Sequence, residues 1–82
     1  MNERETPLEC ARRDVAEAED NIGKQELLIV RLRALGVNAM NAARVLDAMK
    51  GGRHLARERL AREEAASRAS LWLQGVPDLT IH

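Results

Sequence analysis

Apolar residues recur at alternating three- and four-residue steps through the first half of the chain: Leu8, Ala11, Val15, Ala18, Ile22, Ile29 and Leu32. Gln25 is the one polar residue in the series. Such a spacing draws a single stripe along an α-helix, in the a and d positions of a coiled-coil-like seam. Thr6-Pro7-Leu8-Glu9 predicts where the helix starts. Thr6 suits the N-cap, Pro7 the first helical position, and Glu9 the third, where a glutamate completes a capping box. Gly36 predicts where it stops, because glycine adopts the left-handed conformation just past a helix end at little cost. Val37 then falls where it can meet Leu32, and Arg31 and Arg33 suit the negative end of the helix dipole. A helix over residues 7–35 is expected, roughly 43 Å long at about 1.5 Å per residue. Its apolar stripe needs a partner helix.

After a turn at 36–38, Asn38 is a suitable N-cap for a second helix over 39–74. Its stripe opens at Met40, Ala43, Leu46 and Met49 and resumes at Ala56 and Leu60, with Leu55 beside it. Arg53 stands where a leucine would fit. Gly51-Gly52 interrupts the pattern, and each mid-helix glycine costs about 1 kcal/mol relative to alanine. A break there would convert two helices into three. Gly75 and Pro77 end the pattern. Residues 1–5 read as an N-terminal tail and 76–82 as a C-terminal tail, leaving 6–75 for the helices.

A connection this short makes the helices antiparallel neighbours, with facing residue numbers that sum to about 75. Ile29 then lies near Leu46, Ile22 near Arg53, Val15 near Leu60, and Gly23 opposite Gly52. The charge pattern agrees. Residues 1–26 hold eight acids and four bases, whereas residues 27–82 hold five acids and nine bases. A hairpin sets Asp14, Glu17, Glu19 and Asp20 beside Arg53, Arg57, Arg59 and Arg62.

The stretch Val15-Ala16-Glu17, Ile22, Gln25, Ile29, Leu32 and Gly36 resembles a set of short uncharacterised helical-hairpin proteins of alphaproteobacteria. The resemblance covers about residues 13–60. Asp14 stands where that set usually has histidine, Ala18 where it has glycine, and Asn38 where it has aspartate. The resemblance implies a helical hairpin and carries no assigned activity.

Candidate chemistry is sparse. His54 and Glu58 are one helical turn apart, but zinc takes three or four ligands, so no metal site is expected. The facing carboxylates and arginines lack the concave, partly dry pocket that acid–base catalysis needs. Cys10 has no histidine near it in the hairpin register. A non-enzyme without cofactors is expected. The run from Arg53 to Arg68 is basic but interleaved with Glu58, Glu63 and Glu64 and lacks aromatic platforms, which argues against nucleic acid. No apolar run reaches the ~20 residues of a membrane span. Met1–Glu5 lacks the apolar segment of a secretory signal, and a single cysteine suits a reducing compartment, so a cytoplasmic location is expected.

The expected fold is therefore an all-α antiparallel hairpin, completed as a bundle by oligomerisation. Two thin helices seldom stand alone. A dimer of this chain is the favoured partner arrangement, with docking on a larger protein as an alternative. The expected role is a small oligomerisation or protein-interaction module. Its contact residues are the seam — Leu8, Val15, Ile22, Gln25, Ile29, Leu32, Leu46, Met49 and Leu60 — and a patch at Leu71, Trp72 and Leu73. The patch lies past the level of Pro7, which corresponds to Arg68, and it holds the only aromatic residue in the chain. A nucleic-acid-associated regulator using Arg53–Arg68, and a subunit or inhibitor docking on a target, are the alternative roles. Gln25 has two readings: a polar residue that fixes register, or an amide that reaches past the seam to water.

Overall fold

The computed structural model describes residues 5–75. It is an all-α hairpin of two helices, α1 (Pro7–Ala34) and α2 (Met40–Gly75), with no strand among the described residues. Local sequence dictates both ends of α1. Thr6 is extended at the N-cap, and its Oγ1 accepts from the Glu9 N–H at 3.1 Å. Glu9 Oε1 accepts in return from the Thr6 N–H at 3.0 Å, so both arms of the capping box form. At the other end Gly36 takes φ +72°. The Gly36 N–H donates to the Arg33 carbonyl at 3.0 Å and the Val37 N–H to the Leu32 carbonyl at 2.8 Å. This is the complete Schellman pattern, which satisfies carbonyls that a helix end would leave open.

α2 begins one residue later than expected. Ala39 sits at the cap, its carbonyl accepting the first helical bond from the Ala43 N–H at 2.8 Å. Asn38 still serves the terminus, because its Oδ1 accepts from the Met40 N–H at 2.8 Å. The helix then runs without a break through Gly51-Gly52. Interhelical bonds join it to α1 on both sides of the glycines: Gln25 to Ala42 before them, and Arg57 to Glu19 and Arg59 to Asp14 after them. The two arginine pairs fall within two residues of the expected level, so the antiparallel register holds.

The α1 stripe lies as expected. Ala11, Ile22 and Ile29 are buried, and Leu8, Val15, Ala18, Gln25 and Leu32 are half-buried. Burying an isoleucine side chain contributes about 1.5–3 kcal/mol, so Ile22 and Ile29 anchor the contact. The α2 stripe needs one correction. Met40 is exposed, and buried Ala39 with half-buried Ala42 takes its place. Stepping back from Met49 and Leu46 by the same three–four alternation reaches Ala42 and Ala39, not Met40. Small side chains there let the helices converge at the tight turn.

The tail assignments are only partly reached. Glu5 is not part of a free tail: Arg13 Nη1 lies 2.5 Å from its carboxylate. Met1–Arg4, and the expected tail at 76–82 with its Pro77 stop, lie outside the described residues.

Candidate functional site

The apolar residues named for the contact seam, from Leu8 to Leu60, are buried or half-buried in the hairpin. Within that seam Gln25 follows the first of its two readings, a polar residue that ties the helices at one level, and not the second. Its Nε2 donates across the hairpin to the Ala42 carbonyl at 2.9 Å, in a half-buried position. An amide tethered to backbone near the turn is satisfied inside the fold and does not reach for water. Arg53 occupies a leucine-like position and is half-buried, covering the level of Ile22.

Charge is organised across the seam as the asymmetric halves predict. Arg59 Nη1 lies 2.9 Å from Asp14 Oδ2, and Arg57 pairs with Glu19. Within helices, Arg13 reaches Glu17 at 3.4 Å and Lys24 reaches Asp20 at 2.9 Å. The Glu5 carboxylate, the largest influence, makes the Arg13 guanidinium harder to deprotonate. At the α1 start, the Thr6 N–H bond and then the Thr6 hydroxyl hold the Glu9 carboxyl below its ordinary value. Pairs this open to solvent are screened and individually weak. They select register and orientation more than they stabilise.

The cavities are open grooves between the helices. One, of about 390 Å³, is lined by Asp14, Glu17, Ala18 and Asn21 of α1 and by Met49, Gly52, Arg53 and Ala56 of α2. Another, on the opposite flank, takes Glu26, Val30 and Arg33 with Ala43 and Asp47. His54 and Glu58 are 3.6 Å apart, and no group of three metal-ligating side chains forms among the described residues. Cys10 is a half-buried free thiol with Arg13 Nη2 at 3.4 Å from its sulfur.

At the open end of the hairpin, Thr6, Pro7 and Leu8 share a groove with Ser67 and Ser70. α2 therefore projects past the first turn of α1, as the register requires. Leu71, Trp72 and Leu73 lie on this projection and are 62–68% exposed.

Comparison with known proteins was negative. No protein-family model, curated protein or solved structure matches this chain. The fold and its surfaces carry the functional argument alone.

Sequence reasoning missed two features of this surface. Ala39 and Ala42, not Met40, begin the α2 contact. A second apolar row, Val45, Ala48, Gly52 and Leu55, runs along α2 beside the seam. Its own three–four spacing was visible, but Leu46 and Met49 drew the pattern one residue aside.

Proposed function

We propose that this chain is a small non-catalytic self-association module whose hairpin pairs with another copy to form a four-helix bundle. One observation carries the reading. Among the described residues the hairpin buries only Ala11, Ile22, Ile29 and Ala39, while Leu27, Leu28, Val30, Leu35, Val45, Leu55 and the Leu71–Leu73 patch remain exposed. A single layer of two helices has no inside in which to hide them, and exposed apolar surface on this scale marks a contact. Trp72 adds an aromatic group of the kind that anchors interfaces. Coiled-coil-like packing follows from the seam spacing. The free thiol of Cys10 suits a reducing compartment, and a cytoplasmic location belongs to the same proposal.

A nucleic-acid-associated role ranks below self-association. Arg57 and Arg59, in the middle of the basic run, are engaged by Glu19 and Asp14. Docking on a larger protein would use the same exposed residues. Sedimentation equilibrium on the full chain tests the proposal. A dimer mass that falls to the monomer on dilution is expected. Monomer at every concentration would overturn it.

A further inference from the structure

We propose that the second copy packs on one particular face of the hairpin, related by a two-fold axis parallel to the helices. The proposal rests on the self-association reading above and adds the face and the direction.

The two flanks of the hairpin differ. Asp14, Glu17 and Asn21 of α1 line one groove with Gly52 of α2, and Arg59 reaches Asp14 on that side. Seven-residue steps return to nearly the same side of a helix, because two turns take about 7.2 residues. On α1 they lead from Asp14 and Asn21 to Leu28 and Leu35. On α2 they lead from Arg59 and Gly52 back to Val45. This flank is therefore charged at its far end and apolar toward the turn, where Leu28 is 43%, Val45 50% and Leu35 77% exposed. Three residues on from Val45, Gly52 and Arg59 lie Ala48, Leu55 and Arg62, which widen the same face. The opposite flank carries the Glu19–Arg57 pair together with Glu26, Arg33 and Asp47. That side does expose Val30, at 60%, but sets it among Glu26, Arg33 and Asp47.

The charges on the apolar-sided face are segregated by helix. At its far end α1 carries Asp14 and Glu17 and α2 carries Arg59 and Arg62; inside the chain Asp14 pairs with Arg59 and Glu17 with Arg13, so contacts between copies extend these pairs rather than replace them. The Asp14–Arg59 pair sets the two groups at one level along the hairpin. A two-fold axis parallel to the helices lays α1 of one copy over α2 of the other with no shift in level. Each acidic pair then meets the partner's arginines, and Leu28 and Leu35 meet the partner's apolar row. An axis running across the helices at the level of Gly52 would lay Arg59 over the partner's Val45 and Arg62 over its Asn41 instead. That arrangement leaves the arginines without carboxylates and spoils the apolar contact. Charge complementarity of this kind fixes orientation and register between copies.

The test reads association and direction separately. Glu17→Arg or Arg62→Glu should each weaken dimerisation at least tenfold, and the two together in one chain should restore most of it. Glu26→Arg, on the opposite flank, should leave it unchanged. Circular dichroism of the dilute monomers checks that each variant keeps its helices. For direction, Cys10→Ser with Val37→Cys carries one spin label at the turn, off the proposed face. A distance between copies of roughly 20–25 Å, two helix diameters, is expected. A distance of about 40 Å or more, a helix length, would mean the transverse axis and would overturn the proposal. A dimer indifferent to both charge changes overturns this face alone. A chain that never dimerises overturns the self-association reading as well.

Discussion

Replacing Gly23 and Gly51 by alanine should stabilise this protein, and the gain can be worked from the surroundings of each residue. The register sets Gly23 opposite Gly52, which raised the possibility that the two glycines mark a close approach of the helices. The structure excludes it. A methyl group built on Gly23, Gly51 or Gly52 would meet nothing within 4 Å. Each glycine is exposed, and none has positive φ. Only helix propensity is then at stake, about 0.8–1.0 kcal/mol per site in favour of alanine. Gly23 and Gly51 share no partner, so their effects should add to roughly 2 kcal/mol. For a domain of this size each 1 kcal/mol raises Tm by about 4–8 °C. Urea melts of the single and double variants at one fixed protein concentration provide the assay. A loss of more than about 1 kcal/mol in Gly23→Ala would mean a packed contact and would refute the reasoning. Gly52→Ala differs in one respect. It adds the same helix propensity but places a methyl on the proposed dimer face, so its association constant should move where those of Gly23→Ala and Gly51→Ala do not.

Gly36→Ala should destabilise, because its φ of +72° costs a residue with a Cβ about 1–2 kcal/mol; thermal melts read this directly. Thr6→Ala should cost about 1 kcal/mol by removing the helix cap. The Glu9 carboxyl is lowered by the Thr6 N–H, so its contribution is present above its ordinary value of 4.5 and lost as pH falls through the lower folded value. Stability measured between neutral pH and pH 3 should therefore fall less steeply in Glu9→Gln than in the parent. Cysteines at Val15 and Leu60 should crosslink within one chain, with Cys10 replaced by serine; preferential crosslinking of Val15 to a cysteine at Leu46 would contradict the register.

Much of the hairpin was legible because its signals are local. The Thr6–Glu9 box and the Gly36 stop each need only a few consecutive residues, and the structure forms both. The α1 seam was legible because Ile22 and Ile29 dominate their turns. The start of α2 was not, since alanines carry little hydrophobic signal and Met40 beside them is larger. Continuity across Gly51-Gly52 was also hidden. Propensity argues for a break there, and only contacts from the opposing helix argue against it. The partner arrangement of Gln25 depends on a backbone carbonyl seventeen residues away, which periodicity does not encode.

The short connection between Leu35 and Met40 also sets an order of assembly. Contacts beside it join residues close in sequence, while those at the open end join Thr6 and Leu8 to Ser67 and Ser70. Loop-closure cost grows with the intervening length, so pairing is favoured first beside the turn, where Ile29 and Leu46 line one groove, and spreads outward. Each contact formed shortens the loop that the next must close. The molecule thus zips from its bend, and the same gradient runs in reverse when it opens. Amide protons near Ile29 and Leu46 become the last to exchange with solvent, and those at the far tips the first. The tryptophan-bearing end is therefore the part of the protein most often free to meet something else.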